Sequence, residues 1–258
     1  MYAKSLKRTF EKAAEIILQA AGRTTALTGA GISVASGIPA FRGSQGLWDK
    51  YDPLEYAEIR SFRRQPEKVW QMLVEMLDVV EKAQPNKAHK ALAELEKRDL
   101  LQSVITQNVD GLHQSAGNRK VIEFHGAARH LCCLDCDWRW PQFKLSAVSE
   151  IPPLCQECGA ILKPDVVFFG EPIPQWALLE ASAAAEKAKV MLVVATSANV
   201  HPAAEMPILT KRSGGKVIEI NLEPTSLSGP VSDLTILGPA DVVLAEILAA
   251  CERLSGNE

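Results

Sequence analysis

Short apolar runs alternate with amphipathic segments along most of the chain. Four such runs are rich in β-branched residues and lie next to polar or glycine-containing turns: "TTALTG", "LLQSVI", "VMLVVAT" and "GGKVIEIN". Around them, apolar side chains recur at the spacing of a helix. Strands that are largely apolar are typical of a parallel sheet covered by helices on both faces. The pattern therefore predicts an α/β fold with a doubly wound parallel sheet.

The helical spacing also indicates where individual helices lie. A first helix ends near Gly22, and a last helix covers "ADVVLAEILAACERL". Residues 44–85 are mostly helical, and "PEKVWQMLVEMLDVVEKA" has the clearest i, i+3, i+4 pattern. Further helices are predicted for "NKAHKALAELEKRD", for about 175–188 and for about 202–212. A glycine-rich loop after "TTAL" should lead into another helix. We expect one helical and one cysteine-rich module to be inserted into the sheet domain.

Composition argues against several classes of protein. The 258 residues are 47% hydrophobic and 23% charged, and the net charge is −3. Nucleic-acid binders normally show a basic excess, so we interpret the clusters Arg60, Arg63 and Arg64, and Lys211 and Arg212, as solvated surfaces. No segment reaches the roughly 18 apolar residues of a membrane span, and the N-terminus lacks a signal-peptide pattern. We expect a cytoplasmic monomer with no nucleic-acid or membrane partner.

Four of the six cysteines form two C-x-x-C pairs, "CLDC" and "CQEC", separated by 18 residues. Two such pairs at this separation predict a tetrahedral four-cysteine zinc site. The expected ligands are Cys133, Cys136, Cys155 and Cys158. Four thiolates leave no position for water, so the one zinc ion should be structural. A redox pair or disulfide is the alternative, and Cys132 and Cys251 should be small buried residues.

The loop "GAGISVASGIPAFRG" follows the first predicted strand. Gly29 and Gly31 can let the backbone approach a pyrophosphate, whose charge main-chain N–H groups would bind. The spacing does not match G-x-G-x-x-G, and no acidic residue ends a second strand about 20 positions later. An ordinary hydride-transferring dehydrogenase therefore fits poorly.

Polar residues follow several other predicted strands. "TQNVDGLH" carries Gln107, Asn108 and Asp110, and "ATS" and "INLE" follow later strands. Because ligands bind at the carboxyl ends of strands in doubly wound sheets, these residues predict a crevice for a large polar ligand. His125 in "EFHGA" suits a general base near neutral pH. Taken singly, His125 could equally be structural and Asp110 a turn former.

Five of these motifs together resemble the sirtuin family of NAD-dependent protein deacylases. They are "GAGISVASGIPAFRG", "TQNVDGLH", "FHG", the paired C-x-x-C motifs and "KPDVVFFGE", in the family's order over about residues 20–245. The resemblance implies a Rossmann-like NAD-binding domain with a small domain made of the four-cysteine zinc module and a helical module. The implied boundaries are 1–43, 86–126 and 164–258 for the large domain, 44–85 for the helical module and 127–163 for the zinc-binding module.

The resemblance also implies an activity in which NAD is consumed as a co-substrate. In that family the acyl-amide oxygen of a modified lysine in a protein substrate attacks C1′ of the nicotinamide ribose, and nicotinamide leaves. The catalytic base, here His125, helps to deprotonate a ribose hydroxyl, and the acyl group ends on ADP-ribose. Free lysine, nicotinamide and 2′-O-acyl-ADP-ribose are the products.

The site residues follow from the same resemblance. Ile38, Asn108 and Asp110 would line the pocket for the nicotinamide amide, and Phe41 and Arg42 would lie on a loop that closes over NAD. The residues expected to contact the cofactor are Gly29, Ala30, Gly31, Ile32, Ser33, Ile38, Phe41, Arg42, Gln107, Asn108, Asp110, Thr196, Ser197, Asn221 and Ala240. The residues expected to pair with the substrate peptide through their backbone are Val167, Phe168, Phe169, Gly170 and Glu171.

Some positions depart from the family pattern. Ala195 stands where the family more often has glycine before a Thr-Ser pair, and His201 is unusual and expected to be a surface or packing residue. Sirtuins that favour succinyl or malonyl groups share a Tyr-x-x-Arg pair, whose positions Leu73 and Met76 occupy here. An acidic acyl tail would lack its charge partner. We therefore expect activity on acetyl-lysine over succinyl-lysine, with longer fatty acyl groups as an open alternative.

Two other functions remain as alternatives. A mono-ADP-ribosyltransferase would share NAD binding but would transfer ADP-ribose to a protein side chain, and His125 together with "VVFFGE" favours deacylation over it. A non-enzymatic zinc-ribbon interaction module predicts a function that survives His125→Ala.

Overall fold

The computed structural model describes residues 2–40, 47–148 and 150–256. The strands are β1 (Thr24–Thr28), β2 (Ser103–Thr106), β3 (Val121–Glu123), β4 (Gly126–Cys133), β5 (Arg139–Trp140), β6 (Leu162–Val166), β7 (Val190–Val194), β8 (Lys216–Asn221) and β9 (Leu234–Leu237). The α-helices are α1 (Tyr2–Gln19), α2 (Leu47–Lys50), α3 (Pro53–Tyr56), α4 (Ile59–Arg64), α5 (Pro66–Lys82), α6 (Lys87–Lys97), α7 (Leu112–Ala116), α8 (Gln175–Lys187), α9 (Met206–Arg212) and α10 (Ala240–Ser255). Short 3₁₀ helices cover Ala30–Ser36, Leu145–Ala147 and Ala203–Glu205.

β1 lies inside a six-stranded parallel sheet formed by the described residues. The strand order is β3-β2-β1-β7-β8-β9, and each neighbouring pair is parallel. Thr28, the last residue of β1, lies opposite Thr106 of β2 and Val194 of β7. The chain continues from β1 to β2 on one side and reaches β7 on the other, so a crevice forms where the order reverses. The doubly wound parallel sheet predicted from the sequence is confirmed.

Helices cover both faces of this sheet. Along β1, Ala26 packs in one core with α1, α6 and α10, while the next residue, Leu27, packs in a second core with α8 and α9. Because alternate residues of a strand point to opposite faces, a strand covered on both sides has no solvent-facing position. All five residues of β7 are accordingly apolar and buried.

A smaller unit combines the cysteine-bearing strands with helix α5. The antiparallel strands β5-β4-β6 share one core with this helix, and Trp70 and Leu73 lie in it together with Leu131 and Leu162. The Trp70 indole N–H donates to the Leu162 backbone carbonyl over 2.8 Å. The helical and zinc-binding segments are therefore joined through one hydrophobic core, as expected of a small domain built from both. The domain boundaries given above stay a prediction.

Local structure differs from the sequence prediction in several places. The segment after β1 forms a 3₁₀ helix, Ala30–Ser36, instead of the α-helix expected there. α1 ends at Gln19, and α9 begins at Met206 after a separate 3₁₀ turn. The elements β3, β9 and α7 were not predicted, because runs of three to five residues have too few positions to show a period. Within the described ranges, none of the helices is long and apolar enough to cross a membrane.

Candidate functional site

Polar side chains meet where β1, β2, β7 and β8 end. Gly29, directly after β1, donates its N–H to the carbonyl of Val194 over 3.1 Å. Gln107, directly after β2, donates from Nε2 to Thr196 Oγ1 over 2.9 Å. Asn221, the last residue of β8, donates from Nδ2 to the Thr196 carbonyl over 2.9 Å. Residues that are far apart in sequence thus come together at the carboxyl edge of the sheet.

The glycines of the loop after β1 are required by packing inside the protein. A Cβ atom on Gly29 would lie 2.6 Å from Thr196 Cβ and 2.9 Å from the Ala195 carbonyl oxygen. A Cβ on Gly31 would lie 3.0 Å from the Ala195 methyl carbon. Both glycines therefore let the loop lie against the segment after β7. Ala195 itself has a φ of +51°, in the left-handed region that favours glycine, which gives a physical reason for the glycine expected at this position.

A cavity of about 240 Å³ opens beside this loop. In its polar part, Ser33 Oγ donates to Asp110 Oδ2 over 2.6 Å and accepts from Asn108 Nδ2 over 3.1 Å. Asn108 is buried, and its Oδ1 has no hydrogen-bond partner among the described residues. The other lining residues are Ala30, Ile38, Pro39, Lys50, Tyr51, Glu75, Met76, Val79, Val80 and Val109. The cavity is therefore mostly apolar, with one unused buried acceptor.

His125 lies between β3 and β4, next to the end of β2. Its Nδ1 lies 3.0 Å from the Gln107 backbone carbonyl, which can only accept, so Nδ1 carries the proton and Nε2 has a free lone pair. Burial lowers the pKa of His125, and the hydrogen bond to Gln107 opposes that shift only in part. The imidazole is therefore neutral at pH 7 and able to accept a proton at Nε2.

Residues 167–171 continue from β6 and run beside His125. The Val167 N–H donates to the His125 carbonyl over 2.9 Å. Phe169 donates its N–H to the Ala57 carbonyl over 2.8 Å and accepts from the Ile59 N–H over 3.0 Å. This segment thus links the histidine of the large domain to the helices of the small one.

The four cysteines of the two C-x-x-C pairs converge at one point of the small domain. All four Sγ atoms lie within 4.8 Å of one another, with Cys133 and Cys158 at 3.5 Å and Cys136 and Cys155 at 3.6 Å. A tetrahedral zinc with Zn–S bonds of about 2.3 Å separates its sulfur ligands by about 3.8 Å. A disulfide would need about 2.05 Å. The cluster therefore fits a closed zinc site.

Comparison with known families agrees with this geometry. A protein-family model described as the Sir2 family matches residues 29–202. The chain belongs to the Sir2 family. The resemblance to sirtuins derived from the sequence motifs is thereby confirmed.

Relatives of this sirtuin match it over nearly its whole length. The NAD-dependent protein deacylase 2 of Archaeoglobus fulgidus is 46% identical over 250 residues, which are 96% of this chain and 98% of that protein. A solved complex of a Sir2 homolog with NAD has a TM-score of 0.86 and 43% identity, covering 95% of this chain and 94% of that one. A Sir2 variant with a deacetylated p53 peptide and 3′-O-acetyl ADP ribose has a TM-score of 0.86 and 36% identity, covering 96% and 99%.

Some residues predicted to contact the cofactor are not lining residues of the cavity. The side chain of Ile32 is buried in the core beneath α1, α6 and α10, and Ala240 packs in the same core at the start of α10. Ala240 still begins its helix near Asn221, because the Gly238 N–H donates to the Asn221 carbonyl over 2.8 Å. Ser197 is exposed. The predicted lid residues, Phe41 and Arg42, lie outside the described residues.

The sirtuin also contains two buried histidines that the sequence analysis missed. The rings of His89 and His113 have centroids 4.9 Å apart, and His113 Nε2 lies 2.9 Å from Thr28 Oγ1. Burial lowers the pKa of His89 to about 4 and that of His113 to about 3, so both are neutral at pH 7. They face each other from α6 and α7, and no local sequence pattern brings such distant positions together.

Proposed function

We propose that this sirtuin is an NAD-dependent protein lysine deacylase that transfers an acyl group from lysine to ADP-ribose and releases nicotinamide. The position of His125 carries the proposal. Its Nδ1 donates to Gln107, which belongs to the crevice, and its carbonyl accepts from Val167, which begins the predicted peptide edge. A neutral imidazole with a free Nε2, placed between a cofactor crevice and a peptide edge, suits a general base.

The cavity fits the nicotinamide end of NAD. Nicotinamide is a flat, largely apolar ring with one carboxamide, so it needs an apolar slot and acceptors for its amide N–H groups. Asn108 Oδ1 is a buried acceptor that an amide N–H would satisfy, and the carboxylate of Asp110, held by Ser33, is a second acceptor nearby. Ile38 belongs to the apolar lining. These features support the predicted roles of Ile38, Asn108 and Asp110.

We assign the remainder of NAD to the edge where the strands end. The loop after β1 would face the phosphates and ribose, Gln107 would contact the ribose, and the ends of β7 and β8 would hold the adenosine half. The residues assigned on this basis are Gly29, Ala30, Gly31, Ser33, Gln107, Thr196, Ser197 and Asn221. Ile32 and Ala240 would contribute through their backbone, since their side chains are buried in the core. Phe41 and Arg42 stay predicted lid residues.

His125 performs the proton transfer in this proposal. NAD supplies the ADP-ribose that accepts the acyl group. His125 Nε2 would take the proton from a ribose hydroxyl, so that the hydroxyl oxygen could attack the acyl carbon, and the lysine would leave as the free amine. The Gln107 carbonyl holds the imidazole in the required tautomer, because it accepts from Nδ1. The apolar cavity wall would exclude water. This would favour attack of the acyl oxygen on C1′ of the nicotinamide ribose over hydrolysis of NAD at the same carbon.

The protein substrate would pair with residues 167–171. Phe169 already uses its N–H and carbonyl with the helical module, which closes one edge of the segment. The Val167 carbonyl and the Gly170 N–H have no backbone partner in the described ranges, and an extended peptide could pair with them. Backbone pairing depends little on peptide side chains, so we expect loose sequence selectivity. The peptide-containing structure of a Sir2 relative supports a protein substrate.

The four-cysteine cluster is assigned to one structural zinc ion. Its ligands would be Cys133, Cys136, Cys155 and Cys158, and all four positions of the ion would be filled. Zinc would therefore stabilise the small domain and take no part in the reaction. The monomeric state and the cytoplasmic location stay predictions from the sequence.

Mass-spectrometric product analysis with an acetyl-lysine peptide and NAD tests the proposed function. We expect deacetylated peptide, nicotinamide and O-acetyl-ADP-ribose in equal amounts. His125→Ala should reduce turnover by about 10²–10⁴-fold while zinc content and fold are retained. ADP-ribose attached to protein, without acyl transfer, would instead identify a mono-ADP-ribosyltransferase.

A succinyl-lysine peptide in the same assay tests the acyl preference. Met76 lines the cavity, whereas Leu73 is buried in the core of the small domain, and neither side chain can pair with a carboxylate. Among the described residues that line the cavity, the charged ones are Lys50, Glu75 and Asp110, and Lys50 is already paired with Glu75. We therefore expect faster turnover of acetyl-lysine, and faster turnover of succinyl-lysine would contradict this assignment.

A further inference from the structure

Lys163 carries a buried ammonium group that has no role in the proposed reaction. It lies on β6, four residues before the substrate segment, and is only 2% exposed. A buried charge is costly unless it is fully paired. Lys163 Nζ donates to the Val166 carbonyl at 2.6 Å, to the Pro164 carbonyl at 3.1 Å and to Glu171 Oε2 at 3.0 Å. All three of its N–H groups therefore have partners.

One of those partners, Glu171, closes the turn formed by residues 168–171. The same Glu171 oxygen that accepts from Lys163 also accepts from the Phe168 N–H over 2.8 Å, and the Glu171 N–H donates to the Phe168 carbonyl over 3.0 Å. Lys163 Nζ also lies 4.5 Å from the centroid of the Phe168 ring. Gly170, inside the turn, has a φ of +86°. The ammonium thus contacts both ends of the turn, one of them through its aromatic side chain.

We propose that Lys163 is a positioning residue that pre-forms the peptide-binding edge through Glu171 and Phe168. Replacing a buried ion pair with apolar residues often leaves a protein equally stable, so stability alone does not account for a charge here. A pre-formed peptide-binding edge does account for the charge. If residues 168–171 had to become ordered when the peptide binds, the cost of ordering them would weaken peptide binding. This role rests on the proposed function and concerns the peptide, since the hydrogen-bond partners of Lys163 lie on β6 and the 168–171 turn.

Steady-state kinetics with an acetyl-lysine peptide tests this role. Lys163→Met should raise the KM for the peptide by about tenfold, while the KM for NAD and kcat change by less than about threefold. Lys163→Arg keeps a cation that can donate to Glu171, and it should restore most of the peptide affinity. Glu171→Gln should also raise the peptide KM, and the double variant Lys163→Met/Glu171→Gln should show less than the sum of the two effects.

Trp70→Phe is the matched control for a purely structural effect. It removes the hydrogen bond to Leu162, the residue next to Lys163, and leaves the hydrogen bonds of Lys163 and Glu171 in place. It should lower stability but leave the peptide KM unchanged. If Lys163→Met does not fold, as judged by circular dichroism and zinc content, Glu171→Gln and Lys163→Arg still provide the comparison.

Failure of the proposed function and failure of the role of Lys163 would give different results. Wild-type protein that fails to deacetylate the peptide would refute the proposed function itself. Active wild-type protein, together with folded variants whose peptide KM is unchanged or whose two KM values rise equally, would overturn the role of Lys163.

Discussion

In His125, burial and one hydrogen bond have opposite effects on the pKa of the imidazole. Burial lowers its pKa, while the hydrogen bond from Nδ1 to the Gln107 carbonyl favours the charged form. Burial prevails, so the ring is neutral and its free nitrogen is Nε2. A base at neutral pH needs this state, because a protonated imidazole has no lone pair to accept a proton.

The first prediction concerns the pH dependence of the reaction. Because the pKa of His125 is lowered, kcat/KM should be level near pH 7 and fall only below the usual imidazole value of about 6.5, as the ring becomes protonated. A pH–rate profile with the acetyl-lysine peptide measures this. His130→Gln removes another histidine and should leave the profile unchanged. An acid limb centred above pH 7 would contradict the role given to His125.

Single-residue roles could be predicted only in part from the sequence. Ser33, Asn108 and Asp110 were expected at one site, and the structure joins them in one hydrogen-bond network. Ile32 was expected at the same site, but its side chain points into the core. Within a tightly wound 3₁₀ turn, neighbouring side chains point in different directions, and the sequence does not give those directions.

Among the structural elements, the loop after β1 depends most on its neighbours. It lies against the segment after β7 so closely that Gly29 has no room for a side chain. The glycines were expected to let the backbone approach a pyrophosphate. The structure shows a second reason for them, because a side chain here would collide with Ala195 and Thr196.

The second prediction follows from that close approach. Gly29→Ala should lower the free energy of unfolding by about 1–3 kcal/mol, because the new methyl group would meet the backbone of Ala195 and Thr196. It should also raise the KM for NAD, since the loop must move. Chemical denaturation and steady-state kinetics measure the two effects. Gly214→Ala is the control: Gly214 has φ +81° with open space around it, so stability should fall while the KM for NAD stays constant.

Long periodic elements were predicted better than short ones. The helical period located α5, α6 and α10, because each has at least 11 residues and one buried face. The strands β3 and β9 have three and four residues, and α7 has five. Their conformation depends on the neighbouring strand or helix, so pairing and packing decide it.

At the scale of the whole molecule, the four-cysteine cluster and the segment 167–171 share one core. Cys133 and Cys155 lie in the same hydrophobic cluster as Trp70 and Phe168. Loss of the metal should therefore destabilise both the helical module and the segment 167–171.

The third prediction tests this connection. Cys155→Ser should abolish stoichiometric zinc and lower the midpoint of thermal unfolding by about 10 °C or more, because the folded small domain depends on the metal. Mass spectrometry measures the zinc content, and calorimetry measures the midpoint of thermal unfolding. Cys132→Ser changes a buried neighbour outside the cluster and should retain zinc. Full zinc content in Cys155→Ser would contradict the four-cysteine assignment.

The sequence by itself determined the doubly wound sheet, the long helices, the cluster of four cysteines and the family, since these depend on local periodicity, spacing and motif order. Tertiary structure decided what the same residue types do. Met76 lines a cavity while Leu73, three positions earlier, fills a core. Lys163 is buried against the 168–171 turn although lysine is usually exposed. Burial and pairing depend on residues brought near by the fold, and for that reason local sequence does not reveal them.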